Sequence, residues 1–264
     1  MHEWIGGRNP VFEVLRAGRR AIFRLRLAVG AQEKGRLVEI LELCENHNIT
    51  VERTPRQRLD EVCENHQGVV IETSGYPYSA AADILQQVES FGGRGYVLLL
   101  DALQDPQNLG TLLRTAEAVG VHGVFLPYRR TAIVTPAVVH SSSGASEHLL
   151  IAQVNLVQIM NVLKERGVWL VGLESGKGAR LPEEIRLDGP LGIVVGNEGA
   201  GMRPLVRKSC DFLMRLPMVG KVDSLNASVA GSVALYLAWN ARRMMGKNHA
   251  ETNVKITRQS QRAV

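Results

Sequence analysis

The chain has 264 residues, of which 45% are hydrophobic and 22% charged, with a formal net charge of +5. This is the make-up of a globular protein with room for one large or two ordinary domains, and it excludes a disordered or fibrous chain. No stretch approaches the roughly 20 apolar residues of a membrane span, and the opening MHEWIGGRNP has no signal-peptide core, so a cytoplasmic protein without membrane contact is expected.

Cys44, Cys63 and Cys210 are widely spaced and show no CxxC or CxxH pairing. Neither disulfides nor a bound metal is expected, and the three should be small core residues. The charge is uneven. Residues 1–30 hold six arginines against two glutamates, and residues 242–264 hold six basic side chains against one acidic, so both ends suit a polyanion.

In chain order, Asn9-Pro10 reads as a cap followed by proline, starting a helix through Val11, Val14 and Leu15. IFRLRLAV (22–29) alternates as a strand, Leu37, Ile40, Leu41 and Cys44 fall at helical spacing, and GVVIET (68–73) reads as a second strand. Together they form a small α/β unit, expected over residues 1–75. TSGYPYSAA (73–81) is the strongest break in the pattern, and residues 76–95 read as a linker with a helix through Ile84, Leu85 and Val88.

Residues 96–246 then carry four near-continuous apolar runs, YVLLLD, VWLVGLE, LGIVVGNE and FLMRLP, each expected to be a strand buried on both faces. Alternation with helical segments predicts an α/β domain, a mostly parallel sheet with helices on both faces. Residues 247–264 are left as a basic C-terminal tail.

Ligands of such sheets sit beyond the carboxyl ends of the strands, and three segments there draw attention. In DALQDPQNLGTLLRTAEAVG (101–120), Asn108 is a candidate cap for a helix with Leu109, Leu112, Leu113 and Ala116 on one side and Arg114 with Glu117 on the other. From spacing alone, Arg114 and Glu117 make a surface pair worth a few tenths of a kcal/mol. LGIVVGNEGAGM (191–202) places three glycines around Glu198 after a buried strand. Phosphate loops of this kind add a lysine, whereas a carboxylate calls for a neutral or cationic ligand, or for no ligand beyond a tight turn. LPMVGKVDSLNASVAGSVALYLAWNARR (216–243) offers Ser224 as an N-cap before a helix whose Ala227, Ala230, Gly231 and Ala234 admit another backbone closely. That helix is either packed on the sheet or part of a subunit contact.

The content and order of these segments resemble the three motifs of the SpoU (TrmH-like) branch of the SPOUT-class RNA 2'-O-ribose methyltransferases, through Asn108–Glu117, Gly196–Gly201 and Leu216–Asn226. IGGRNPVFEVLRAG is similar to the auxiliary domain of the RlmB-like members that modify large-subunit ribosomal RNA.

The resemblance implies S-adenosylmethionine as cofactor, held around Gly196, Asn197, Gly199, Leu216, Met218 and Leu225. It implies Asn108, Arg114, Glu198, Ser224 and Asn226 as the catalytic set, with RNA as partner, 23S rRNA above all and a guanosine within it. It further implies a deep trefoil knot, a homodimer in which the arginine completes the partner's site, and an N-terminal RNA-binding domain like certain ribosomal proteins. The basic N-terminal end and the break near Gly75–Ser79 are read as a recognition module tethered to a self-sufficient catalytic dimer. A transfer-RNA or antibiotic-resistance enzyme of the same family is the nearest alternative, and an RNA-binding protein without activity a more distant one. A nucleotide-binding oxidoreductase is disfavoured, because no GxGxxG follows a strand with the required acidic residue about 20 positions on.

Overall fold

The computed structural model describes residues 2–176, 178–222 and 224–260, with side chains as far as Met244. The first part of the chain is β1 (His2–Gly6), α1 (Arg8–Ala17), β2 (Ile22–Ala28), α2 (Arg36–Asn46), β3 (Val51–Thr54), α3 (Gln57–Asp60) and β4 (Val69–Ser74). Its strands form a mixed sheet ordered β1-β4-β2-β3, in which β2 and β3 are parallel and the other pairs antiparallel. The alternation of IFRLRLA turns Leu25 and Leu27 inward while Arg24 and Arg26 lie on the other face, over the Trp4 ring. Helix α1 begins at Arg8, ahead of the expected Asn9-Pro10 start, because Gly7 at φ 99° makes the turn out of β1.

The second part runs α4 (Ala81–Ser90), β5 (Tyr96–Leu100), α5 (Pro106–Ala118), β6 (Gly123–Pro127), α6 (Pro136–Ser141), β7 (Ile151–Val154), α7 (Leu156–Glu165), β8 (Trp169–Leu173), β9 (Leu191–Val195), α8 (Pro204–Ser209), β10 (Phe212–Met214) and α9 (Ala227–Ser260). Six parallel strands are ordered β10-β8-β9-β5-β6-β7. All four apolar runs are strands, but only β5 and β9, in the middle of the sheet, are buried throughout. β10 is an edge strand and half-buried, and Trp169 at the start of β8 is exposed, so burial on both faces fails there. The basic tail, expected from residue 247, starts beyond the last described side chain, and residues 261–264 lie outside the described residues.

The segment 73–81 is not a loose tether. Arg20 is buried where the two sheets' domains meet, and its guanidinium makes a two-pronged pair with Glu147 (2.8 and 2.9 Å) and a third bond to Glu3 (2.7 Å). Arg19 donates to the carbonyls of Leu149 and Pro77, and the Tyr76 hydroxyl lies 3.0 Å from the carbonyls of Ser146 and Leu149. One apolar core runs through both parts, from Ile5 and Leu27 to Leu98 and Leu112. Of the cysteines, Cys44 is buried while Cys63 and Cys210 are half-buried; all three are free, and burial pushes the Cys210 thiol up to about 12. Among the described residues, no helix is long and apolar enough to cross a membrane and no group of three metal-ligating side chains occurs.

His122 holds the start of the large sheet. Its Nδ1 accepts the Tyr96 amide at 3.0 Å and its ring stacks on Phe91, which requires the neutral imidazole. Burial, with Arg242 nearby, lowers its pKa from 6.5 to about 4. The stabilisation is therefore complete above pH 6.5 and is lost as the pH falls towards 4, because the unfolded chain takes up the proton first. With the ring half-exposed the loss should be held to about 1–2 kcal/mol. Thermal melts at pH 7 and pH 5 should show the drop, and His122→Gln should reduce it.

Candidate active site

Three loops meet at the carboxyl edge of the large sheet. After β5 the chain turns through Ala102, at φ 58°, and enters α5, where Asp105 is the cap: its carboxylate accepts the amides of Gln107 and Asn108 at 3.1 Å, with Pro106 in the first turn. Asn108 is thus not the expected cap. It lies inside the first turn, which frees its side-chain amide to donate to Glu198 (2.8 Å). Asp101, wholly buried at the end of β5, accepts the Arg203 amide and Nε, both at 2.7 Å, and fixes where the glycine loop leads into α8. That helix starts at Pro204.

The glycine loop folds back on itself. The Asn197 amide donates to the Gly201 carbonyl at 3.0 Å and the Gly201 amide returns to the Asn197 carbonyl at 2.9 Å. The Asn197 side chain is committed to the loop as well, donating to the Ala102 carbonyl and accepting the Gly199 amide, both at 3.0 Å. A Cβ on Gly196 would run into the Gly201 carbonyl carbon and the Met202 amide, so only glycine fits.

The third segment supplies Asn226, and here the cap differs again from expectation. Asn226 rather than Ser224 caps α9: its Oδ1 accepts the amides of Ser228 (2.9 Å) and Val229 (3.2 Å). Its Nδ2 donates to Asn108 Oδ1 at 3.1 Å and to the Glu198 carboxylate. Asn108, Glu198 and Asn226, from three separated segments, therefore close one hydrogen-bonded cluster. The small side of α9 is inward: Gly231 packs against Leu112 and Val195, and Ala234 is buried. Outward it shows Val229, Val233, Tyr236 and Met244.

Beside this cluster lies a cavity of about 420 Å³, within the roughly 300–1,000 Å³ usual for small-molecule sites. Gly196, Asn197, Glu198, Gly199, Leu216, Met218, Ser224 and Leu225 all line it, on apolar walls from Leu173, Val195 and Met214. The loop itself carries no lysine, and Arg207 at the rim is paired with Glu174 at 2.7 Å. Glu198 and Arg215 are the other charged groups of the lining, so the walls suit a ligand with an apolar body that carries a cationic group as well as an anionic one.

Arg114 is elsewhere. It is exposed on α5, donates to the Ser143 hydroxyl at 3.1 Å, and makes no ion pair with Glu117 among the described residues. It faces a second cavity, of about 360 Å³, with Glu13, Arg16, Arg36 and His148. The expected surface pair is thus absent, and so is contact between Arg114 and the Asn108 cluster within one chain. Asp101, Asp105 and Arg203 escaped the sequence reading. Asp105-Pro106 carried a readable cap-then-proline signal, whereas Asp101–Arg203 spans 102 residues and has no local mark.

Residues 95–236 match the SpoU rRNA Methylase family, and residues 4–79 match RNA 2'-O ribose methyltransferase substrate binding. The Bacillus subtilis protein YacO, assigned to the TrmH family of tRNA/rRNA methyltransferases, is 41% identical over 251 residues, covering 93% of this chain and 98% of the relative. Two crystal structures share the fold. The SpoU methyltransferase AviRb of Streptomyces viridochromogenes, in complex with AdoMet, superposes with a TM-score of 0.76 at 23% identity over 92% of this chain and 91% of its own. An AdoMet-bound rRNA methyltransferase of Sinorhizobium meliloti gives 0.73 at 23% identity over 90% and 86%. The sheet, its carboxyl-edge cavity and these matches define an RNA methyltransferase. Within that class, the chain belongs to the SpoU rRNA methylase family.

Proposed function

We propose that the protein transfers the methyl group of S-adenosylmethionine to a ribose 2'-hydroxyl of ribosomal RNA, with a guanosine of 23S rRNA as the target. The observation that carries this reading is the closed Asn108–Glu198–Asn226 cluster on the rim of a glycine-lined cavity. S-adenosylmethionine supplies an electrophilic methyl on a cationic sulfonium. Backbone groups around Gly196, Leu216, Met218 and Leu225 would hold its nucleoside, the Glu198 carboxylate would suit its positive charge, and the apolar walls would exclude water. Asn108 and Asn226 fix the carboxylate in place, and Ser224 orients the acceptor ribose. Ribosomal RNA is favoured over transfer RNA because a substrate-binding domain precedes the catalytic one.

Arg114 clamps the phosphate beside the acceptor and stabilises the alkoxide that forms. A guanidinium holds its proton and is a poor base, so the hydroxyl proton leaves by another route. Six residues along a helix place Arg114 about 120° around α5 from Asn108, which supports a homodimer in which Arg114 serves the partner's cavity. The outward apolar residues of α9 supply the contact. We also propose the family's trefoil knot, since Gly196 and Gly231 let backbone and helices approach where a threaded chain needs it. The N-terminal mixed sheet is proposed as an RNA-binding domain of ribosomal-protein type.

Calorimetry should show micromolar binding of S-adenosylmethionine and none of NAD or ATP. Gly196→Ala should lose at least about 10-fold in that affinity, because the loop must move to admit a Cβ. Binding of NAD with no response to the methyl donor would overturn the reading. The nucleotide is tested by mapping 2'-O-methyl sites in the ribosomal RNA of a deletion strain.

A further inference from the structure

The loop after β6 has no part in the cavity or the polar cluster, yet it is built as a rigid presenter of three exposed side chains. Tyr128 is 67% exposed, and Arg129 and Arg130 follow it into solvent with no ion pair among the described residues. No acidic residue occurs between Glu117 and Glu147 in the chain, so nothing on the loop or its flanks neutralises the two arginines. Such a pair would be solvated and mobile on an ordinary loop.

This loop is held. Thr131 Oγ1 and the Ala132 amide both donate to the Leu103 carbonyl, at 3.0 and 2.7 Å, and the Val134 amide donates to the Tyr78 hydroxyl at 2.9 Å. Arg130 sits at φ 60°, a left-handed conformation that an arginine keeps only where its surroundings impose it.

The anchor at Leu103 gives the loop its place. Leu103 belongs to the turn whose Ala102 carbonyl accepts Asn197 and whose Asp105 caps α5 below Asn108. In the sheet order β8-β9-β5-β6, the cavity takes the loops after β8 and β9, and the Asn108–Glu198 bond joins the loops after β9 and β5. The Tyr128–Arg130 loop after β6 is the next along the same carboxyl edge, on the side of the cluster away from the cavity. An acceptor nucleotide entering the cluster would bring its neighbours over this loop.

We propose that Tyr128, Arg129 and Arg130 grip the acceptor RNA beside the reaction site, Tyr128 stacking on an unpaired base and the two arginines pairing with backbone phosphates. The chemistry matches single-stranded RNA, in which exposed bases stack on aromatic rings and guanidinium groups meet phosphates. The assignment rests on the methyltransferase reading above and adds to it the surface that seats the acceptor strand.

The test uses the full-length protein with unmodified, in vitro transcribed 23S rRNA as the probe, measuring RNA affinity at several salt concentrations. Tyr128→Ala should weaken RNA binding roughly 10- to 100-fold, the loss expected for one stacked base. Tyr128→Phe should restore it, because the ring and not the hydroxyl does the stacking. Arg129→Ala with Arg130→Ala should lower the slope of log affinity against log salt by about 0.7 for each phosphate left without its arginine. Affinity for S-adenosylmethionine and Tm should stay as in the wild type, since all three side chains are exposed. If the variants bind RNA like an active wild type, with the same salt slope, the loop assignment is overturned while the function stands. A wild type that neither binds S-adenosylmethionine nor methylates RNA overturns both.

Discussion

Arg114→Ala should lower the turnover number for methyl transfer about 10²- to 10³-fold, the loss that follows removal of one group stabilising a developing oxyanion, while S-adenosylmethionine affinity stays within a few-fold. The two effects separate because Arg114 faces the 360 Å³ cavity beside Ser143 and takes no part in lining the cavity at Gly196. Arg114→Lys should fail almost as badly, since an ammonium keeps the charge but not the planar fork that grips a phosphate through two bonds. Glu117→Gln is the control. No ion pair joins Glu117 to Arg114, so this change should shift stability by less than about 0.5 kcal/mol. Single-turnover transfer of labelled methyl, measured beside calorimetric donor binding, checks the two Arg114 variants, and a denaturant melt checks Glu117→Gln. Near-normal turnover by either Arg114 variant would return the residue to the role of a solvated surface charge.

What could be read from the sequence depended on how local the determining interaction is. YVLLL and LGIVV announce themselves as buried central strands, since each is apolar from end to end and flanked by breaks. GVFLP and IAQV, equally part of the parallel sheet, give no such signal because their apolar runs are short and end in a proline or carry a glutamine. Helix caps are signalled in the right neighbourhoods but on the wrong residues. Asn108 and Ser224 have the chemistry of a cap, yet the geometry gives that task to Asp105 and Asn226.

The grouping of residues at the candidate site was legible only through resemblance. Asn108 and Glu198 are 90 positions apart and Asn108 and Asn226 are 118, and no periodicity brings them together. Arg114 shows the converse: its spacing from Glu117 is that of a helical pair, but its bond is to Ser143, 29 residues on, on a loop set in place by tertiary packing.

The docking of the N-terminal domain was the least visible feature, and it carries the largest expected effect on stability. Arg20→Ala should destabilise the protein by about 3–5 kcal/mol, because it leaves the Glu147 carboxylate, 1% exposed, buried without its cation. At this chain length that is a fall in Tm of about 6–20 °C. The sequence hid this pair because its members are 127 residues apart and Arg20 looks like one more member of a basic cluster. Arg20→Met combined with Glu147→Leu should recover part of the loss, since it removes the buried Glu147 charge together with its cation and leaves only the partly exposed Glu3 without a partner. Arg20 follows α1, whose Glu13 and Arg16 line the cavity that Arg114 faces, so Arg20→Ala, which loosens the docking, should leave S-adenosylmethionine binding normal but raise KM for RNA, and the repacked double variant should bring KM back towards the wild type. Thermal melts of the two variants, with KM measured for both below their melting temperatures, decide the matter. An Arg20→Ala protein that melts within about 2 °C of the wild type would show that the domains are only tethered.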